Sequence, residues 1–435
     1  MRKKSVLAST GFFRVWAAES ISLTGAQITT FALPLVAAVN LDASPWEMSL
    51  LVAAAGMASL TLGLSAGVMA DKYERTAVMH VANFARLAVL MSVPFLYWAD
   101  ALSVWLLALV TYLISALSLL FESAMTPYVP RLVGRDKVGP ANSWLEASEA
   151  VGDVGGPGLA GILVQSFGAP IAVVIDACSY VVSSAALIGL PKAHPAKERR
   201  TEEPAESHFG AIRSGLRVLR RDRYQWPLAV TSVFFNFFSS VFAATYMLYA
   251  LRVVGLSPAL LGLMTMLGGV AGLTAAMVNQ RMIARFGIGP TAIIGLALPG
   301  VTGLPVGLVH HVDRPLALVL IGIAQFSWVF GIVVMHVCVN TMRQTMVPEH
   351  LQGRIISSAR FMGLGVQPLG ALTGGAIAST ALGLPGALVT ATAGLILAAV
   401  WPLFTPVRTL RTVDDQDDHG DDLLPPREPA VPADT

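Results

Sequence analysis

Three carboxylates, Glu146, Glu149 and Asp153, stand at i, i+3 and i+7 in the apolar stretch Asn142–Gly161, NSWLEASEAVGDVGGPGLAG. That spacing puts all three on one helical face, and Gly156 continues it by a further turn. A polar stripe on a helix set in lipid must face protein or water, because lipid cannot satisfy it. An uncompensated charge at mid-membrane costs about 2.5–3.5 kcal/mol or more, so Asp153 must be protonated, paired or hydrated. Burial favours the protonated form of a carboxyl, which is the chemistry a proton-coupled carrier uses. A structural hydrogen bond to a neighbouring helix would satisfy the same residue, and the pattern alone leaves both open. Glu149 and Glu146 lie nearer the start of the helix and are easier to hydrate.

Other ionisable groups also fall in apolar stretches. Arg86 and Arg360 lie inside them, Asp176 sits in the sixth, and Glu19 and Glu122 approach the ends of the first and fourth. Arg86 needs an acidic partner, for which Glu19 and Glu122 are the candidates. Asp176 has a packing or capping role as its alternative. A Gly63-Leu-Ser65-Ala-Gly67 run fits the nucleophile-elbow pattern, but that pattern needs a strand-to-helix turn and this run is helical. No phosphate-cradling loop is present, so neither ATP nor another cofactor is expected to drive this chain, and no metal site or enzymatic activity is expected.

The elements that must hold these groups are legible from composition. Only 13% of the 435 residues are charged and 54% are hydrophobic, with a mean hydropathy of +0.65. A soluble domain carries roughly 25% charged residues, so the chain is membrane-embedded. Twelve apolar segments can each cross a ~30 Å hydrocarbon core: roughly 15–39, 47–70, 76–98, 101–124, 142–166, 168–190, 225–250, 258–284, 288–309, 315–340, 355–380 and 383–405. An all-α membrane protein with two six-helix bundles follows, 1–190 and 225–405, joined by a polar cytoplasmic link, 191–224, and followed by an acidic cytoplasmic tail, 406–435, expected to be disordered. Lys and Arg set the orientation: twenty-five fall with the termini and the link, and only Arg252 and Arg314 on the opposite side. Both termini are therefore expected in the cytoplasm of a multi-pass cell-membrane protein. Within the link, Phe209–Arg221 reads as an amphipathic helix for the inner leaflet, with a solvated linker helix as alternative. The DDQDD tail reads as a solvated acidic segment; nothing points to nucleic acid, and a monomer is expected. Cys178 and Cys338, in apolar runs, read as core-type thiols.

The halves are related. A shift of 214 residues aligns Val133–Gly161 with Val347–Gly375 without a gap, pairing Gly139 with Gly353, Ser143 with Ser357, Gly156 with Gly370 and Gly161 with Gly375. Both copies fall in the fifth segment of their half, and Arg360 takes the repeat position of Glu146. Parallel repeats with a binding site at their interface are a transporter plan.

Gly67-Val-Met-Ala-Asp71-Lys72-Tyr-Glu-Arg75 resembles the loop signature of the major facilitator superfamily, with Glu74 and Thr76 replacing its second glycine and last basic residue. Gly152, Gly156, Pro157, Gly158 and Gly161 resemble that superfamily's antiporter motif. Pro130–Val133, Ala141–Ser143, Gly156–Gly161 and Asp176–Ser183, with Phe13, Arg14, Trp16, Ser22, Gly25 and Ala32-Leu33-Pro34 in the first span, are similar to the macrolide-efflux and siderophore-exporter branch. That branch often has an acid directly after the first-span glycine; here it is Ala26, so no proton role transfers to it.

The resemblance implies a twelve-helix transporter working by alternating access. It implies that Asp71 docks against the other half to hold one side closed. Proline and small residues at 152–161 would allow a bend and close helix contact. It further implies that spans one, four, seven and ten line the substrate cavity, where Gln27, Tyr112, Asn236, Phe237, Tyr246, Gln325, Trp328 and His336 are the candidate contacts. Aromatic faces with a few amides suit a bulky amphipathic ligand. The expected function is export of a hydrophobic or amphipathic small molecule, a drug, natural product or siderophore, by proton antiport. Uptake by symport or facilitated diffusion is the alternative.

Overall fold

The computed structural model describes residue 6 and residues 9–191, 216–347 and 349–411. Residues 412–435 of the tail and most of the link, including 209–215 of the expected amphipathic helix, lie outside them, while 406–411 pack onto the second half through Val407 and Leu410. Among the described residues there are helices and no strands. The first half holds α1 (Thr10–Leu35), α2 (Pro45–Lys72), α3 (Arg75–Trp98), α4 (Val104–Val133), α5 (Val138–Phe167) and α6 (Ala169–Leu187). The second holds α7 (Gln225–Leu248), α8 (Pro258–Phe286), α9 (Ile288–Gly303), α10 (Arg314–Met346), α11 (Glu349–Gly365), α12 (Gln367–Ala378) and α13 (Gly383–Val400).

Among the described residues, eleven segments are long and apolar enough to cross a membrane. Helices α11 and α12 together make one of them, interrupted at Val366. The twelfth expected span, α5, is not among the eleven: even its apolar C-terminal part is diluted by Gly152, Gly155, Gly156, Pro157, Gly158, Gly161 and Gln165 beside Asp153. Its 30 residues still rise about 45 Å. It also traverses the same layer as its neighbours. Along α1 it runs in parallel, Trp16 meeting Ser148, Thr24 meeting Gly152 and Gln27 meeting Gly156. Along α8 it runs antiparallel, Val154 meeting Gly269, Gly158 meeting Met266 and Gly161 meeting Pro258. Helix α5 continues unbroken through Pro157.

The second half repeats this plan. Helices α11 and α12 run parallel to α7, through Gly363 on Ser232, Gly370 on Phe237 and Gly374 on Val241. They run antiparallel to α2, through Gly365 on Leu60, Gly56 on Pro368 and Gly375 on Ser49. Matching starts reinforce the match. Ser44 caps α2 and Ser257 caps α8, each followed by a proline at the first helical position, where the missing N–H costs nothing. Both α1 and α7 end in a π-helical turn, Val36–Asn40 and Tyr249–Val253.

The apolar cores tell the two membrane faces apart. Away from the termini, one continuous core draws on both halves, with Val36, Ala37, Leu51 and Ala160 beside Val241, Leu248, Tyr249 and Leu261. On the terminal side the cores separate. Phe12, Met79, Phe121 and Tyr128 form one within the first half, while Leu228, Ile288, Cys338 and Met342 form another within the second. The halves therefore meet on the distal side and part toward the termini. Of the expected amphipathic helix, 216–221 is helical and buries Leu219 against Trp226, Val347 and Ile355 of the second half.

Candidate functional site

Helix α5 is zipped to α1 by side-chain hydrogen bonds along its length. Trp16 Nε1 donates to Ser148 Oγ at 2.9 Å, and Ser20 Oγ to Ser148 Oγ at 2.7 Å. One further turn up, Gln27 Nε2 donates to Asp153 Oδ1. Close approach requires Gly156, where a Cβ would collide with the Gln27 side chain, while Gly152 faces the Thr24 backbone at ordinary contact distance. Pro157 has no N–H, so the carbonyl of Asp153, four residues earlier, loses its helical donor. Asp153 thus has a bonded side chain beside a backbone carbonyl that lacks its i+4 helical donor. Glu146 and Glu149 are exposed on the same face. Glu149 interacts electrostatically with Glu19, Glu122 and Asp153, which makes an acidic wall of α1, α4 and α5.

Arg86 sits behind that wall. It is 5% exposed, packed between the rings of Phe121 and Tyr180 at 4.4 and 4.5 Å, and it donates to Asn83 Oδ1 at 2.5 Å. Asn83 in turn donates to Ser183 Oγ at 3.0 Å. Neither Glu19 nor Glu122 closes an ion pair with Arg86, although both feel its charge, as does Asp176. Two aromatic faces and an amide replace the direct acidic partner expected from sequence. Asp176 is fully buried, accepts from Ser179 Oγ at 3.2 Å and Tyr180 OH at 3.4 Å, and abuts Gly25, where any side chain would collide with it. That explains the Gly25 of the first-span motif as a packing requirement.

Of the loop signature, Gly67 and Asp71 lie in the closing turns of α2, and their side chains are outside the described set. Lys72 is exposed over the Tyr73 ring. Arg75 is 8% exposed and donates to the Pro127 carbonyl at 3.0 Å, tying α3 to α4 within its own half.

The expected cavity residues are only partly assembled. Asn236, Trp328 and His336 line a cavity of about 490 Å³ between the halves, together with Ser59, Ser239 and Gln367. Gln367 Nε2 donates to Asn236 Oδ1 at 2.8 Å. Gln367 stands at the repeat position of Asp153, so the α12–α7 joint is the neutral counterpart of the α5–α1 joint. Sequence reasoning missed Gln367, though the 214-residue shift applied to Asp153 falls on it. The remaining candidates are engaged elsewhere. Gln27 holds Asp153, Tyr112 OH meets Thr61 Oγ1 at 2.9 Å, Phe237 packs edge-on to Phe238, and Gln325 is half-buried on α10. Tyr246 stacks on Phe242, which stacks in turn on Trp328 at 4.5 Å. A second cavity of about 440 Å³ places Glu122 across from Arg360 and shares Ser59 with the first.

On the distal side, Arg252 of the second half pairs with Asp42 of the first at 2.7 Å and donates to the Ala38 carbonyl at 3.2 Å. The Ala259 N–H donates to Gln165 Oε1 at 3.2 Å.

The family profile of the Major Facilitator Superfamily matches residues 15–366. Among curated proteins, the chain is 25% identical over 401 residues to the multidrug efflux pump Tap of Mycolicibacterium fortuitum, covering 90% of this chain and 94% of Tap. It is 26% identical over 438 residues to the enterobactin exporter EntS of Escherichia coli O1:K1 / APEC, covering 92% of each. Among solved structures, a bacterial homologue of the iron transporter ferroportin in its inward-facing state superposes with a TM-score of 0.71 at 17% identity, covering 90% of this chain and 98% of that one. With the profile spanning most of both helical halves, the chain belongs to the Major Facilitator Superfamily and is a multi-pass membrane transporter.

Proposed function

We propose that this transporter exports hydrophobic or amphipathic small molecules in exchange for protons, with Asp153 as the main proton carrier and Glu149 and Glu146 as its hydrated approach. The observation that carries this reading is the Gln27–Asp153 hydrogen bond, set against the neutral Gln367–Asn236 bond at the equivalent joint. An amide suits a titrating partner. Its N–H donates to the carboxylate, and after a flip its carbonyl accepts from the carboxylic acid, so Asp153 stays bonded in both protonation states. The termini and the link are taken as cytoplasmic, which makes the present form open to the cytoplasm. Alternating access then requires the distal contacts to part while the terminal faces close. Kinship with Tap and EntS supports outward transport.

The test uses inside-out vesicles with rhodamine B, an amphipathic dye, as probe. Accumulation is expected when the vesicle interior is made acid, and a protonophore should abolish it. Accumulation that survives the protonophore unchanged removes proton antiport. Dye moving only in the opposite direction favours uptake.

A further inference from the structure

The cavity that holds Glu122 and Arg360 is built from both halves. Glu122 and Thr126 come from α4, and Ser357, Arg360 and Phe361 from α11. Both charged residues are exposed. They sense one another electrostatically, yet no ion pair within 4.0 Å joins them. The other cation near Glu122, Arg86, is held away between two aromatic rings. Two opposite charges therefore face each other across a gap that opens between the moving halves, with hydroxyls around them and the apolar Leu60, Phe361 and Leu364 on the walls.

We infer that this cavity selects zwitterionic amphipaths, molecules whose cationic group docks on Glu122 and whose anionic group docks on Arg360. The reading rests on the transport function proposed above and names the substrate class of its central site. The physical reason lies in closure. When the terminal faces come together, the cavity loses water, and an unpaired charge left inside is heavily penalised. A ligand with both charges neutralises both walls at once and bridges the halves. A monocation leaves Arg360 uncompensated, and a monoanion leaves Glu122. Ligand charge thereby decides which molecules allow the halves to close. A simple latch between the halves would instead bring the two side chains into direct contact.

Equilibrium binding to the full chain in lipid nanodiscs tests this without any gradient, so its outcome is independent of proton coupling. The probes are rhodamine B, which carries a cationic ring system and a carboxylate, and its ethyl ester, which keeps only the cation. Anisotropy should show the ester binding about tenfold more weakly, the size of one charge-assisted contact. The ester is the more hydrophobic dye, so partition into lipid works against this result. Arg360→Gln should weaken rhodamine B about tenfold and leave the ester unchanged or tighter, Arg360→Lys should restore part of the difference, and Glu122→Gln should weaken both dyes. Equal affinities in the unmodified chain, discrimination that persists in Arg360→Gln, or no binding of rhodamine B overturns the inference. A shift of both dyes together in Arg360→Gln would assign the pair to a latch and overturn it equally.

Discussion

Gln27 bonds Asp153 across the α1–α5 seam, where the second half has Asn236 bonded to Gln367 across the α7–α12 seam. The two joints share a place in the repeat and differ in one property: only the first can change charge. Both lie where a helix of each half meets its neighbour and where glycines permit close contact, Gly156 in one and Gly370 in the other. Under the proposed proton coupling, protonation of Asp153 would act at a joint between helices and so couple its charge to how they pack.

Asp153→Asn makes the two joints chemically alike, both amide to amide. The hydrogen bond to Gln27 survives, so the fold and dye binding are expected to be retained. Dye accumulation driven by an acid vesicle interior should fall to the level reached with a protonophore, while downhill exchange persists. Full gradient-driven accumulation by Asp153→Asn removes this residue from coupling and turns attention to Glu149. Vesicle uptake with and without an imposed pH difference separates the outcomes.

Arg86→Lys tests whether the buried cation is held by shape or by charge. A lysine keeps the charge near Glu19, Glu122 and Asp176 but loses the planar face that stacks between Phe121 and Tyr180. Each lost stack is worth about 0.5–2 kcal/mol, so a lower melting temperature in detergent is expected, and a larger fall for Arg86→Ala. An unchanged melting temperature for Arg86→Lys means the aromatic sandwich contributes nothing beyond charge.

The helical layout was legible because lipid imposes a simple rule: each crossing must be apolar, and Lys and Arg avoid one side. The repeat was legible through its glycines, since Gly156, Gly161, Gly370 and Gly375 sit where no side chain fits. Partners across helices were not. Arg86 was expected to find an acid and instead found Phe121, Tyr180 and Asn83, because any crossing residue can supply a partner and sequence carries no distance between spans. The cavity was half legible for the same reason. Asn236 and His336 line the cavity of about 490 Å³ with Ser59, whereas Tyr112 meets Thr61 and Tyr246 stacks on Phe242, because which face of a helix points inward depends on packing that sequence does not carry.

Gly161→Val probes the α5–α8 crossing. A Cβ at Gly161 would lie 2.5 Å from the Pro258 carbonyl oxygen and 3.1 Å from the Ala259 Cα, both rigid backbone. Added side-chain volume therefore opposes distal closure, by about 1–3 kcal/mol for overpacking. The population should shift toward a distally open form and transport should fall. Spin labels at Asp100→Cys and Val312→Cys, on distal turns of opposite halves, should move apart in a background lacking Cys178 and Cys338. An unmoved distance with full transport shows that the crossing tolerates a side chain.

Asp42 and Arg252 form a distal latch whose two ends differ in strength. Asp42 has a φ of 48°, in the left-handed region that Asn also tolerates, so Asp42→Asn removes charge without backbone strain. Its side chain is 93% exposed, and such a pair is worth only about 0–1 kcal/mol. Asp42→Asn should therefore shift the balance toward distal opening by no more than about fivefold, and high salt should reproduce the effect in the unmodified chain. Arg252 also donates to the Ala38 carbonyl, a contact from α7's end to α1's end that salt screens less. Arg252→Gln loses both interactions and should open the distal side further than Asp42→Asn does, read by the same label pair. The reverse order, or a salt response equal to that of Arg252→Gln, would assign the latch to the exposed ion pair alone.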